Sequence, residues 1–235
     1  MAGLRMKIAK IVLLVLLFLT GLLYVAAELV YSATRDRSEF GAFENAMRLT
    51  HLVFTLPLLL VPIVQFSRRL RTKRPGLHRA LGRFYLGATM LAAIGAIYLG
   101  LGFDEPGRRV PLVIFAGLWF YFAVAAWLAA YRRTFDVHAR FVVRTYGIAL
   151  AFVLVRLLGQ FDIALLGSIT NEEVRNVTRE WLAFVVPLLL IEAGFHWRAS
   201  GQAKHERQLR GPGSARSIEA IQGAPEPKAS TRPRP

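Results

Sequence analysis

The chain alternates long apolar stretches with short polar segments, most of them basic. Six stretches are apolar over about 20 residues, which is the length that an α-helix needs to cross the hydrocarbon core of a bilayer. They cover residues 8–31, 44–66, 81–103, 110–131, 141–160 and 180–198. The pattern predicts an all-α fold, a polytopic transmembrane helix bundle with six spans.

The same pattern divides the chain into three segments. Residues 1–43 hold the first transmembrane helix and an outer loop, and residues 44–198 hold a five-helix membrane domain. From residue 199 onward Gly, Pro, Ser, Gln and charged residues replace the apolar ones, a composition typical of disorder. We therefore predict a disordered basic cytoplasmic tail over residues 199–235.

The distribution of Lys and Arg predicts the orientation of the bundle. The N-terminal residues and the basic segments 68–83 and 132–144 together hold 14 Lys and Arg, whereas the segments on the other side hold 7. Cytoplasmic loops carry the excess of positive charge in membrane proteins. We expect a multi-pass membrane protein with both termini in the cytoplasm. Within segment 68–83, Pro75-Gly76 predicts a turn.

Composition agrees with this assignment and limits the chemistry. Hydrophobic residues make up 54% of the chain, and the mean hydropathy is +0.41. The net charge is +15, but its basic residues flank apolar stretches or lie in the tail, so we expect anionic lipid headgroups at the basic loops and no nucleic acid. The chain contains no cysteine, which excludes disulfides, thiolate metal sites, iron–sulfur clusters and thioether-linked haem.

A first group of polar residues lies inside the predicted spans towards the outer side. A titratable side chain in hydrocarbon needs a partner or water, so each one is a functional candidate. Arg48 and His51 are three residues apart and face the same way on one helix. Glu28 and Arg156 lie at a similar depth on other helices, so we predict that the carboxylate contacts Arg156, Arg48 or both. Hydrogen bonding between helices is the purely structural alternative for this outer polar cluster.

A second group lies towards the cytoplasm and forms the predicted cofactor-binding layer. His78 and His138 each stand at the cytoplasmic start of a helix, so they can face each other across the bundle. Two neutral imidazoles on different helices are what a b-type haem or a transition metal requires. The spacing also allows Arg144 to pair with Glu192 on the sixth helix. The complete set is His78, His138, Arg79, Arg83, Arg144 and Glu192, and interfacial charges without a ligand are its structural alternative.

Several short motifs give the chain a resemblance to a known family. The most specific is His78-Arg79-x-Leu81-Gly82-Arg83-x-Tyr85-Leu86. The others are His51, Pro62, Gln65-Phe66, Tyr98-Leu99, His138-x-Arg140-Phe141-x-x-Arg144-x-Tyr146, Arg156, Trp181, Pro187 and Glu192. With these motifs the chain resembles a bacterial family of predicted membrane proteins, domain of unknown function 2306. The resemblance covers about residues 45–197 and implies the membrane architecture and the candidate positions, but no activity.

The chain departs from the family pattern at two positions. Ala139 stands where a second basic residue is usual, and Leu188 stands where an Asn often follows the proline. A charge or an amide at these positions is therefore no part of the site that we expect here.

Three functions fit the sequence. The first is a haem- or metal-binding redox protein that uses His78 and His138, with arginines holding propionates or an anionic quinone-like group. The second is a small-solute or proton-coupled transporter or sensor that uses Glu28, His51 and Arg156. The third is a membrane scaffold or assembly factor without a catalytic site. No Ser/His/Asp set, phosphate-binding glycine loop or His-Glu-x-x-His motif indicates a particular enzyme class.

Overall fold

The computed structural model describes residues 41–103 and 105–222, with isolated positions between residues 16 and 34. The side chains of residue 56 and of residues 202–222 are not among them. Most of the predicted first span, including Glu28, lies outside the described residues. In the part that is described, all regular secondary structure is helical.

Seven helices follow one another in the continuous described ranges. They are α1 (Ala42–Gln65), α2 (Arg68–Lys73), α3 (Pro75–Leu101), α4 (Pro106–Tyr131), α5 (Phe135–Gln160), α6 (Asp162–Leu166) and α7 (Glu172–Gln222). Five segments of these ranges are long and apolar enough to cross a membrane: α1, α3, α4, α5 and Glu172–Gly201 of α7. The prediction of an all-α membrane bundle is confirmed for these residues.

The basic segment 68–83 contains two helices where the sequence predicts a loop. The Ser67 hydroxyl caps α2 by accepting a hydrogen bond from the Leu70 N–H at 3.4 Å. The helical conformation is interrupted at Arg74, and Pro75 is the first residue of α3. The predicted turn at Pro75-Gly76 is therefore wrong, because proline fits the first helical position, where no N–H is needed. His78 lies one turn inside α3.

The connection between α4 and α5 is also shorter than predicted. The Thr134 N–H donates to the Ala129 carbonyl at 2.9 Å, and Arg133 adopts a left-handed backbone with φ of 60°. This arrangement satisfies the last carbonyls of α4 and reverses the chain within three residues. Helix α5 consequently begins at Phe135, six residues before the predicted start, and its first turn carries His138.

The chain divides into two compact units, Met1–Ile191 and Glu192–Pro235. Helix α7 begins in the first unit and continues in the second to Gln222, so the backbone is helical over much of the segment that the sequence predicts as a disordered tail. In the second unit the Ser200 hydroxyl donates to the His196 carbonyl at 3.0 Å.

Small residues and a few large aromatic side chains form the core of the first unit. Helix α3 packs against α1 and α4, and α4 packs against α5. The contact faces are rich in buried alanines, which let helix backbones approach closely where water gives no hydrophobic drive: Ala88, Ala92, Ala93, Ala116, Ala123, Ala126, Ala149 and Ala151. Phe184 of α7 stacks on Phe115 at 4.5 Å and meets Phe152 edge-on, which joins α7 to α4 and α5.

Candidate functional site

Two adjoining cavities lie where α3 and α5 begin. The smaller, of about 350 Å³, extends to the end of α4, and the larger, of about 640 Å³, extends to the end of α1. Both volumes fall in the range of small-molecule sites, roughly 300–1,000 Å³. Six residues line both cavities: His78, Arg79, Gly82, Leu86, Phe135 and His138. The two histidines of the predicted cofactor layer thus share the same hollow.

His138 is held in a defined ring orientation. Its Nδ1 lies 2.9 Å from the carbonyl oxygen of Ala126 in α4. Because a carbonyl only accepts, Nδ1 carries the proton in this contact and Nε2 of the neutral ring keeps a lone pair. A histidine that binds a metal commonly donates its other N–H to a backbone carbonyl in this way.

His78 is tied to the end of α1 through its backbone. The Gln65 side chain donates from Nε2 to the His78 carbonyl at 2.9 Å. The His78 ring nitrogen Nδ1 is buried, and no hydrogen-bond partner for it occurs within the described ranges. The Gln65 side-chain oxygen Oε1 is also buried and has no hydrogen-bond partner among the described residues. Two buried polar atoms of residues that line the larger cavity thus have unused hydrogen-bonding capacity.

The cavity walls combine apolar surface with positive charge. The smaller cavity has apolar and aromatic walls, which are formed by Leu86, Trp127, Ala130, Tyr131 and Phe135. The guanidinium-bearing side chains of Arg79 and Arg83 also line it, and Arg71 of α2 lines the larger one. Such a hollow suits a molecule with an apolar body and an anionic edge.

Arg144, another member of the predicted layer, does not line these cavities. Arg144 lies one and a half turns beyond His138, and its guanidinium carbon is 5.2 Å from the centre of the Phe141 ring. Glu192 belongs to the second unit. The pairing of Arg144 with Glu192 stays a prediction.

Arg48, His51 and Arg156 are the described members of the predicted outer cluster. Arg48 forms an ion pair with Glu44 on its own helix at 2.6 Å. His51 places Nδ1 2.9 Å from the Ala92 carbonyl of α3. Arg156 is exposed on α5. Because Glu28 lies outside the described residues, its predicted contact with Arg48 or Arg156 stays a prediction.

An ionic cluster at the other end of the bundle was not foreseen from the sequence. Arg108 donates from Nε to Glu180 Oε1 at 2.6 Å, and its Nη1 lies 3.4 Å from Glu105 Oε1. Asp162 is 2.8 Å from Arg175 and 3.6 Å from Arg179. The apolar pattern predicts Glu180 at the very start of a span, where a charge is ordinary, whereas α7 begins eight residues earlier. The sequence signal that could have predicted this ionic cluster is the presence of opposite charges at helix ends that face each other.

A buried hydroxyl network between α3, α4 and α5 was also missed. Tyr85 Oη lies 3.0 Å from Thr145 Oγ1, and Trp119 Nε1 donates to the Thr145 carbonyl at 3.0 Å. Tyr146 donates from its hydroxyl to the Leu59 carbonyl of α1 at 3.2 Å. These contacts fix the helices beneath the cavities, because buried polar groups hold a specific arrangement when each is paired.

The comparison with protein families agrees with this architecture. The model of the predicted membrane protein family DUF2306 matches residues 48–193, which is more than half of the chain. The chain belongs to this family. The matched part of this DUF2306 protein includes α3, α4 and α5, and therefore both cavities. No curated protein and no solved structure compared with the chain matches it.

Proposed function

We propose that this DUF2306 protein is a membrane haem protein in which His78 and His138 would hold a b-type haem. The observation that supports this function is the position of the two histidines. They come from different helices, α3 and α5, and both line the same pair of cavities. Histidine imidazoles are common protein ligands of haem iron, so these two side chains would hold the group.

The ligand set favours a haem over a bare metal ion. A protein-bound zinc or similar ion takes three or four protein ligands. Among the described residues no group of three or more His, Cys, Asp or Glu could hold a metal ion. The Ala126 carbonyl, by accepting from His138 Nδ1, leaves Nε2 as the nitrogen that would bind the haem iron.

The remaining walls fit the periphery of a haem. Apolar side chains from the last turns of α4, Trp127 and Tyr131 among them, would pack on the macrocycle. Arg79 and Arg83 would hold the propionates, since guanidinium groups bind carboxylates through paired hydrogen bonds. When bound, the group supplies one-electron redox chemistry. The protein would supply the two imidazoles and the charge on Arg79 and Arg83.

We further propose a sixth span over residues 8–31 and both termini in the cytoplasm of a bacterial inner membrane. The excess of 14 over 7 Lys and Arg supports this orientation. It puts the cavities and the basic helix α2 at the cytoplasmic surface, where anionic lipid headgroups would meet Arg68, Arg69, Arg71 and Lys73.

Transport through Glu28, His51 and Arg156 has weaker support. The His51 ring hydrogen-bonds to the Ala92 carbonyl. The centre of the His51 ring lies 6.1 Å from the centre of the Phe152 ring. A histidine held between helices in this way accounts for its presence without a transported ligand. A scaffold without any site would leave the cavities without a role.

Absorption spectroscopy tests the haem proposal. The protein, produced with a haem precursor and purified in detergent, is expected to show a Soret band that shifts on reduction. His78→Ala and His138→Ala should each abolish or shift the band, and Ala130→Trp, which fills the smaller cavity, should reduce haem content. His196→Ala is the matched control, because His196 lines neither cavity and is exposed. Colourless protein, or a band unchanged in the His78→Ala, His138→Ala double variant, would refute the proposal.

A further inference from the structure

The larger cavity lies where three helices that are long enough to span a membrane end or begin. Helix α1 ends at Gln65, α3 begins at Pro75 and α5 begins at Phe135, and all three residues line this cavity. The hydrocarbon core of a bilayer is about 30 Å thick, so the ends of apolar spans lie at the level of the lipid headgroups. The cavity therefore lies at the boundary between headgroups and hydrocarbon.

Cationic side chains from two different helices line this cavity. Arg71 comes from α2 and Arg79 from α3. Both residues are exposed, so neither guanidinium group is held away from a ligand by burial. Arg71 lines only the larger cavity and Arg83 lines only the smaller one. Arg71 is therefore a cation that the proposed haem site does not use.

Apolar side chains form much of the remaining wall. Pro62 and Phe66 stand at the end of α1, Leu86 belongs to α3, and Val142 and Val143 belong to α5. A hydrocarbon chain can pack on such a wall, but it gains no hydrophobic free energy by leaving a bilayer that is equally apolar. Selective binding of an amphiphile here must therefore come from its head group.

We propose that the larger cavity is a binding site for a single-chain anionic amphiphile, a fatty carboxylate or an alkyl phosphate, whose head group binds Arg71. Guanidinium groups bind both kinds of anion through paired hydrogen bonds. Arg79, which lines both cavities, adds positive charge. The volume of about 640 Å³ lies within the size range of small-molecule sites, roughly 300–1,000 Å³. Binding of this kind requires neither a bound haem nor a proton on a histidine.

One acidic residue opposes the positive charge of this wall. Asp136 is the single Asp or Glu among the described residues that line the two cavities. It lies in the first turn of α5, where the helix dipole favours a carboxylate. Two arginines and one carboxylate leave the wall of the larger cavity with net positive charge. Substitutions of opposite sign should therefore have opposite effects: Asp136→Asn should strengthen anion binding, and Arg71→Gln should weaken it.

The test is equilibrium binding of radiolabelled dodecanoate to the full chain in nanodiscs of phosphatidylcholine, with empty nanodiscs to measure partition into the bilayer. We expect saturable binding that Arg71→Gln weakens at least about tenfold, the effect of losing about 1.4 kcal/mol of charge-assisted hydrogen bonding. Asp136→Asn should bind at least about twofold more tightly. Arg132→Gln is the matched control, because Arg132 is exposed after the last residue of α4 and lines neither cavity.

Two further ligands and one pair of variants separate the head group from the chain. The methyl ester of dodecanoate keeps the chain without the charge and should bind at least about tenfold more weakly. Dodecyl phosphate should also bind, and the tighter of the two anions distinguishes a fatty acid from a phosphate-headed lipid. Ala139 lines only the larger cavity, so Ala139→Trp should obstruct the chain, and Ala139→Ser is its control.

Three results would overturn this assignment. They are binding no greater than partition into empty nanodiscs, equal losses in Arg71→Gln and Arg132→Gln, which would mean that surface charge alone attracts the anion, and equal binding of the methyl ester. The Soret band is recorded on the same samples. Colourless protein with Arg71-dependent binding would refute the haem proposal and retain the amphiphile site. Haem-loaded protein without such binding would do the reverse.

Discussion

Arg108 and Glu180 form an ion pair that joins α4 to α7 at the end of the bundle opposite the cavities. Nε of Arg108 lies 2.6 Å from Oε1 of Glu180, and the Glu180 side chain is 1% exposed. Glu44 and Arg48 have the same 2.6 Å separation, but their side chains are 35% and 38% exposed. The two pairs thus differ in burial and not in distance. Burial determines what happens when one partner is removed, because a buried charge left alone cannot be solvated.

We predict that Arg108→Ala lowers the free energy of unfolding far more than Glu44→Gln does. The expected loss is about 3–5 kcal/mol for Arg108→Ala, which leaves the Glu180 carboxylate buried, and about 0.3–0.5 kcal/mol for the exposed helical pair. Unfolding in detergent, followed by circular dichroism at increasing denaturant, measures both. The double variant Arg108→Met, Glu180→Met should recover most of the loss. Similar losses for the buried and the exposed pair would contradict the argument.

The fold was more predictable than its details. Apolar length identifies a span whatever its neighbours, so α1, α3, α4 and α5 follow from the sequence. The first residues of the helices do not follow from the sequence, because a proline such as Pro75 or Pro106 is equally common in a turn and at the first position of a helix. Both prolines begin helices here.

The site was predictable only in part for a related reason. His78, Arg79 and His138 stand close to helix starts on the same side of the membrane, so the sequence alone brings them to one end of the bundle. The contribution of Gln65 depends on how α1 meets α3, which no local pattern specifies. Glu180 was missed because its burial follows from the position of Arg108 on another helix.

Gly95 lies where α3 approaches α1 closely. A Cβ at this position would be 3.2 Å from the His51 Cβ and 3.5 Å from the Met47 carbonyl oxygen. We predict that Gly95→Ala lowers the free energy of unfolding by about 1–3 kcal/mol, because the two backbones must separate. Gly87→Ala is the matched control on the same helix, since nothing lies within 4 Å of its Cβ. Thermal unfolding in detergent compares the two, and an equally destabilised Gly87→Ala would show that loss of glycine itself is responsible.

The hydroxyl pair of Tyr85 and Thr145 should respond asymmetrically to substitution. Thr145 Oγ1 donates to the Val142 carbonyl at 2.7 Å, so Tyr85 must donate to Thr145. Tyr85→Phe removes one donor and should lower the free energy of unfolding by about 1 kcal/mol. Thr145→Val leaves the buried Tyr85 hydroxyl without its acceptor and should lower it by about 1–3 kcal/mol. Denaturant titration measures the difference, and a larger loss for Tyr85→Phe would reverse the assigned direction of the hydrogen bond.

The proposed orientation can be tested without removing any native thiol, because the chain contains no cysteine. Lys73 lies at the end of the basic helix α2, and Glu172 begins α7 beyond the opposite end of α5. Both side chains are exposed. In spheroplasts, which are bacterial cells without the outer membrane, Glu172→Cys should react with a membrane-impermeant maleimide. Lys73→Cys should react only after the spheroplasts are lysed. Positive-inside orientation predicts this order because segment 68–83 carries seven Lys and Arg. The opposite labelling order would place the cavities on the outer surface and remove the basis for a cytoplasmic site.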